Sequence, residues 1–323
     1  MNQNAVQINA IASALEKAGT VVTVSHRRPD ADTLGSALAL ADLLERRGKS
    51  VKCFCSDPVP LSLLTLPGSD KFTSDPNVFW GAHTVVVLDA GDMKFAGVDK
   101  IVPALAPRPV VLNIDHHNAN EFFGDVNLVV PGAASTTEIV YDLYGAFGVR
   151  ATEAAATNLL AGVVTDTMMF FNPATSASSL AFASSLHKLG ADHKTVSALA
   201  MRNKSIESLS LWGKALERLK YDEASGRAST VLYAEETVGS GDEDALGGLS
   251  NFLNSMLPAR VVVVLRELGD GTVKGSLRTA REDTDVAAEA IGRGGGGHRK
   301  AAGFVVRGKV VEGEKEWTIE TNS

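Results

Sequence analysis

Three Val- and Ile-rich runs in the amino-terminal part of the chain each stop at a cluster of acids or histidines. Thr20–Ser25 leads into His26-Arg27-Arg28-Pro29-Asp30-Ala31-Asp32, Thr84–Leu88 into Asp89-Ala90-Gly91-Asp92, and 110–114 into Asp115-His116-His117. Short β-branched runs of this kind, with a further one at Ser50–Cys55, read as buried strands. Helix-capable segments separate them, such as 34–46 with Leu34, Leu38, Ala41 and Leu44 on one face. Strand alternating with helix predicts an α/β fold with a doubly wound parallel sheet, whose ligands bind beyond the carboxyl ends of the strands. His26, Asp89 and Asp115 fall at those ends.

A length of 323 residues suits two domains. Hydrophobic residues at 45% and charged residues at 21% fit a soluble globular enzyme with a sizeable core. The net charge of -7 argues against gripping long duplex nucleic acid, which requires many Lys and Arg to displace counterions. Cys53 and Cys55 are the only cysteines, so neither structural zinc nor a disulfide framework is indicated. No signal-like or membrane-length apolar run is present, which predicts a cytoplasmic protein with no membrane partner.

Ser135-Thr136-Thr137-Glu138 carries a capping-box signature and predicts a helix from about Thr136. A second helical pattern, 152–164, ends at Thr165-Asp166-Thr167 and places a fourth acid at an element's end. From 184 to 220 the chain reads as a charged helical connector, and beyond Tyr221 strands are expected at 228–233, 260–267 and 272–277. The expected organisation is a catalytic domain over 1–188, a helical linker over 189–220 and a smaller α/β carboxy-terminal cap domain over 221–323.

Asp30 and Asp32 are two residues apart and His26 lies four before Asp30, so one strand-to-helix turn can aim all three into a cleft. Carboxylates mixed with imidazole suit Mn²⁺, with Mg²⁺, Co²⁺ and Zn²⁺ as alternatives. If Asp89 bridges, two ions about 3.5–4 Å apart can activate a water and stabilise charge developing on phosphorus. A lone Asp after a strand is usually a helix cap or a turn residue, but four acid sites in succession are hard to explain as caps. In Asp115-His116-His117 one imidazole can bind metal while the other serves as general acid or phosphate donor, with the Asp orienting a ring. Downstream, the glycine run 294–297 ending in His298 lies between a helical segment and a strand, where a flexible linker is out of place. Its exposed N–H groups could meet a phosphate, and Arg278 at a strand end could clamp a second phosphate face.

The ordered set His26, Asp30-x-Asp32, Asp89-x-x-Asp92, Asp115-His116-His117 and Asp166, with 294–298 and Ala301-Ala302-Gly303 downstream, resembles the DHH phosphoesterases with their DHH-associated carboxy-terminal domain. The compact length is similar to the NrnA-type nanoRNase and pAp phosphatase group. The resemblance implies that His26, Asp30 and Asp89 hold one Mn²⁺ and that Asp32, Asp89, His116 and Asp166 hold another. It also implies a catalytic role for His117 beside Asp89, a supporting role for Asp115, and substrate binding by Arg278, Gly295, Gly296, Gly297 and His298. Arg293 departs from the family pattern, where an aromatic is frequent before the glycines.

The implied reaction is Mn²⁺-dependent hydrolysis of short oligoribonucleotides, or of 3′-phosphoadenosine 5′-phosphate (pAp), to nucleoside 5′-monophosphates. The implied partners are short oligonucleotides or nucleotides, and a homodimer is compatible with the resemblance. Two alternatives stand beside this: a phosphodiesterase of cyclic-di-AMP or linear dinucleotides, and a nucleotide-binding regulator without turnover. An intact ligand set speaks against the last, because a pure binder has no need of two activating ions.

Overall fold

A computed structural model describes residues 3–172, 174–201, 205–237 and 248–321. The chain divides into two compact units, Met1–Asn203 and Lys204–Ser323. The first runs α1 (Gln3–Lys17), β1 (Thr20–Ser25), α2 (Ala31–Arg46), β2 (Ser50–Cys55), β3 (Phe72–Thr73), β4 (Thr84–Leu88), β5 (Val110–Asp115), β6 (Val126–Val129), α3 (Thr136–Ala146), α4 (Glu153–Asp166), α5 (Ala177–Lys188) and α6 (His193–Met201).

All six strands of this unit are parallel, in the order β3-β2-β1-β4-β5-β6. The expected doubly wound parallel sheet is therefore present, and its strand order changes direction between β1 and β4, where such sheets bind ligands. Strand side chains alternate between the faces. Val21, Val86, Leu88, Leu112 and Ile114 join the core with the α-helices, while Val22, Val24, Val85, Val87 and Val111 line the other face. That second face is covered by short 3₁₀ turns, Pro76–Phe79 and Val102–Ala104, which insert Phe79 and Val102. Helices α2 and α4 approach closely: a β-carbon on Gly35 would stand 2.4 Å from the Asn158 carbonyl oxygen. Cys53 and Cys55 are free thiols, and burial pushes each up to about 11, which removes them as nucleophiles near neutral pH.

The second unit contains α7 (Ile206–Glu217), β7 (Lys220–Asp222), β8 (Arg227–Leu232), α8 (Ala234–Thr237), α9 (Leu249–Met256), β9 (Val261–Glu267), β10 (Thr272–Arg278), α10 (Val286–Gly292), β11 (Gly296–His298), β12 (Ala301–Arg307), β13 (Lys309–Glu312) and β14 (Trp317–Glu320). Its sheet has the order β11-β12-β10-β9-β8-β7; only β8 and β9 are parallel. One face packs α10 with the β13–β14 hairpin, the other α7 and α9. The stretch expected as a connector, 189–220, contributes α6 to the first unit and α7 to the second. Its residues 202–204 lie outside the described residues.

The glycine run, where a flexible linker is out of place, ends in an edge strand, with Gly296 opposite Gly303, Gly297 opposite Ala302 and His298 opposite Ala301. A β-carbon on Gly295 would lie 2.2 Å from the Gly303 carbonyl oxygen, and one on Gly297, at φ +141°, would lie 2.5 Å from Ala302 Cα. At these two positions the glycines answer to the close approach of β12.

Candidate active site

The site is built where β1, β4 and β5 end, facing the start of α2 and the end of α4. Asp30 is the N-cap of α2: its Oδ1 accepts the N–H groups of Asp32 and Thr33 at 3.0 and 3.1 Å. Its Oδ2 lies 3.7 Å from His26 Nε2. The capping role and the role facing the cluster thus fall on different oxygens. Thr33 ties the turn to the neighbouring strand, accepting from His26 N–H at 3.2 Å and donating to the Leu88 carbonyl at 3.1 Å.

Asp89 follows β4 directly in a left-handed backbone conformation, φ +61°, an outlier of the kind that concentrates at functional sites. Its Oδ2 lies 3.5 Å from His26 Nε2 and its Oδ1 3.5 Å from His116 Nε2. Each oxygen therefore faces a different histidine. Asp32 is wholly buried, and its carboxylate takes the Thr136 and Thr137 N–H groups at 2.7 and 3.0 Å. The amino terminus of α3 thereby meets a negative charge. Thr136 Oγ1 also donates to Asp89 Oδ1 at 2.9 Å. Asp166 closes α4 at its carboxyl end, where the helix dipole disfavours an anion, and its Oδ2 lies 3.2 Å from His116 Nε2.

The three histidines share one tautomeric arrangement. His26 Nδ1 meets the Arg27 carbonyl at 2.8 Å and His116 Nδ1 the Ala133 carbonyl at 3.2 Å, so each Nδ1 must carry the proton. Each Nε2 is left facing carboxylates. His116 Nε2 is buried and hydrogen-bonds to nothing, although two carboxylates flank it. His117 Nδ1 donates to Asp115 Oδ1 at 2.7 Å and the ring is half exposed.

Electrostatics says what the cluster lacks. His26, Asp30 and Asp89 offer ligand atoms within 4.8 Å of one another, as do Asp32, His116 and Asp166, and Asp89, His116 and His117. At such spacing a pair of like charges costs about 4 kcal/mol at an effective dielectric near 20. Two such pairs, Asp30 with Asp89 and Asp32 with Asp166, already fall within the roughly 5–15 kcal/mol that holds a whole fold together. Burial, with the charges of Asp32, Asp30, Asp166 and Asp115, pushes the Asp89 carboxyl well above the usual carboxylate range. Asp166 is raised well above it by burial and the charges of Asp32, Asp30 and Asp115, and Asp32 is raised by burial against the opposing pull of His116. A divalent cation between His26, Asp30 and Asp89, and another between Asp32, His116 and Asp166, would remove this repulsion and give each Nε2 a partner. The donor set of imidazole and carboxylate oxygen fits Mn²⁺ or a similar ion.

Comparison with known proteins agrees with this geometry. Residues 20–163 match the amino-terminal domain of the DHH family and 229–316 the DHHA1 domain. The chain is 30% identical over 303 residues, 94% of its length and 89% of the relative's, to the bifunctional oligoribonuclease and PAP phosphatase NrnA of Thermus thermophilus. This chain belongs to the DHH family, and its type is that of NrnA. This DHH protein is also 27% identical to the cyclic-di-AMP phosphodiesterase GdpP of Geobacillus thermodenitrificans, over 90% of this chain and 45% of that one. Among solved structures, an exopolyphosphatase-related protein from Bacteroides fragilis superposes with a TM-score of 0.82 at 25% identity, covering 93% of this chain and 91% of that one.

In the second unit of the DHH protein, Arg278 ends β10 opposite Ala301, which is opposite His298. Directly opposed residues share a face, so Arg278 and His298 stand on one side of the sheet with only an alanine between them. Arg278 Nε donates to Asn251 Oδ1 of α9 at 2.6 Å and Nη1 to the Leu277 carbonyl at 2.9 Å, which fixes the guanidinium. Gly296, Gly297 and His298 form the sheet's outer strand and Gly295 precedes it, with His298 exposed.

Several supporting residues had no signal in the sequence. Phe95 stacks on His26 with ring centroids 4.6 Å apart and planes at 21°. Asn120 donates to Asp115 Oδ2 at 2.6 Å. Bonds from His117 and Asn120 outweigh burial and hold the Asp115 carboxyl below its ordinary value, while the bond to Asp115 raises His117 against the effect of burial. Only the cap at Ser135, which starts α3 beside Asp32, was marked in advance. Ser135 Oγ accepts Glu138 N–H, but the Glu138 carboxylate accepts from Ala134 N–H and not from Ser135, so the reciprocal half of the capping box is displaced by one residue.

Proposed function

We propose that this protein is a cytoplasmic, two-metal phosphoesterase that cleaves short oligoribonucleotides and pAp to nucleoside 5′-monophosphates. The observation that carries the reading is the division of Asp89, whose two oxygens face His26 and His116 at 3.5 Å each. On this reading His26, Asp30 and Asp89 hold one Mn²⁺, and Asp32, Asp89, His116 and Asp166 the other. Bound there, the ions supply activation of a water and neutralisation of charge on the phosphoryl group.

The chain's own residues do the rest. Asp115 holds the His117 ring by Nδ1 and raises its proton affinity, so Nε2 is left to carry a proton to the leaving oxygen. Thr136 and Thr137 keep Asp32 oriented, and Phe95 keeps His26 from rotating. In the second unit, taken as the substrate-binding domain over 221–323, Arg278 and His298 meet substrate phosphate beside Gly296 and Gly297, whereas the Gly295 N–H is spent on the Ala290 carbonyl at 2.9 Å. The catalytic domain is taken as the first unit, Met1–Asn203, which includes α6, and α7 opens the second. No helix among the described residues is long and apolar enough to cross a membrane.

A panel of pAp, a diribonucleotide, a longer single strand and cyclic-di-AMP, assayed with Mn²⁺ for mononucleotide release, tests the reading. Turnover of pAp or the diribonucleotide supports it. A strong preference for cyclic-di-AMP gives the site to the phosphodiesterase alternative, and binding without turnover of any member gives it to a regulator.

A further inference from the structure

We propose that Phe122 and Phe171 are nucleobase-stacking side chains of the first unit, one in the segment bonded through Asn120 to the Asp115–His117 pair and one in the turn that follows Asp166. The inference rests on the nucleotide reading above and adds how the base, rather than the phosphate, is held.

Phe171 is 71% exposed and Phe122 56%, whereas their neighbours Phe170 and Phe123 pack against the two cores of the unit. Each displayed ring belongs to a segment bonded to a site acid. Phe122 N–H donates to Asn120 Oδ1 at 2.7 Å, the Asn120 amide donates to Asp115 Oδ2 at 2.6 Å, and Asp115 holds His117. Phe171 N–H donates to the Thr167 carbonyl at 3.0 Å. The adjacent Asn172 amide donates to the Asp166 carbonyl at 2.7 Å.

Both segments hold strained backbone. Phe122 has φ +54°, and Met168, Met169 and Phe170 form a left-handed run at φ +49°, +57° and +67°. Such conformations are unfavourable for residues with a β-carbon and gather at ligand-binding sites. Met169 and Phe170 dock on the core, so the strained turn leaves the next ring, Phe171, outside.

A ring kept in water beside a phosphate-directed site suits a partner that brings both a phosphate and an aromatic face. Every nucleobase has such a face, so stacking recognises nucleotides without selecting a sequence. One ring tied through Asn120 to the Asp115–His117 pair and one in the turn that follows Asp166 would offer a separate face to each of the two bases that flank a scissile phosphate.

The test compares AMP with ribose 5-phosphate by calorimetry in the Mn²⁺-loaded protein, and a diribonucleotide with its abasic counterpart in steady-state kinetics. Phe171→Ala and Phe122→Ala should weaken AMP binding and raise KM for the diribonucleotide by roughly 5- to 100-fold each. Ribose 5-phosphate affinity, KM for the abasic substrate and the number of Mn²⁺ bound should stay unchanged, and Phe171→Tyr should restore AMP affinity. In Phe171→Trp, added fluorescence absent from the wild type should be quenched by AMP and not by ribose 5-phosphate. Wild-type protein that binds AMP no more tightly than ribose 5-phosphate, or variants that lose both ligands equally, would overturn the inference. Base-dependent AMP binding without turnover of any substrate would leave the stacking intact and defeat the activity reading instead.

Discussion

Gly162 of α4 makes the room that the buried Asp32 carboxylate occupies. A β-carbon at position 162 would stand 2.5 Å from Asp32 Oδ1 and 2.4 Å from Thr137 Cγ2. The absence of one methyl group on α4 thus lets an acid from α2 reach the amino terminus of α3.

Gly162→Ala therefore sets two effects against each other. Helix propensity favours alanine by about 1 kcal/mol, but forcing a methyl into a filled space costs typically 1–3 kcal/mol. The clash should win, because Asp32 and Thr137 are both buried and bonded. Thermal denaturation should show a lower Tm, and calorimetry a weaker affinity for Mn²⁺, since Asp32 must move. An unchanged Mn²⁺ affinity would show that Asp32 is not a ligand.

Asp89→Asn separates the cost of the carboxylate cluster from its use. Without metal the variant should be more stable than wild type, because a buried charge with four like neighbours has gone. With Mn²⁺ the order should reverse, since the shared ligand is weakened, and hydrolysis should fall by at least about a thousandfold. Melting curves with and without a chelator measure the crossover.

Chelation of wild-type protein should lower its Tm, because ion binding to the folded state stabilises by mass action. The shift should be restored by Mn²⁺ in excess and be absent in Asp89→Asn combined with His116→Ala. A Tm indifferent to chelator would speak against ions at this cluster.

His117→Asn should keep Mn²⁺ stoichiometry and lose most of kcat with little change in KM, as expected for a group acting mainly in the transition state. Loss of one bound ion instead would exchange the roles of His116 and His117.

The second unit offers a pH test remote from the metals. Arg218 donates to both oxygens of Glu236 at 2.7 and 2.8 Å, and this pairing draws the Glu236 carboxyl from its ordinary 4.5 down to about 2. A depressed folded-state value means the stabilisation is complete above about pH 4.5 and is lost as the pH falls towards 2. The Tm difference between wild type and Glu236→Gln should be largest at neutral pH and shrink below pH 4.5. A difference that stayed constant to pH 3 would show that the pair contributes no charge-dependent stability.

The sequence by itself determined which acids stand at strand ends and where the helices begin. β-branched runs and their flanking Asp and His residues are local patterns, and period-two burial with a cap such as Asp30 leaves a direct trace in the order of residues. What only the tertiary structure decided involves partners far apart in the chain. The Thr136 and Thr137 amides reach Asp32 from 104 and 105 positions away, Phe95 stacks on His26, and Gly162 yields space to Asp32. The pairing of the glycine run before His298 is of the same kind: nothing in its composition marks that β12 lies against Gly296–His298 as an edge-strand partner. Local periodicity is written by the backbone's own geometry. Long-range pairing is set by which surfaces exclude water together, and a single sequence carries no local mark of that.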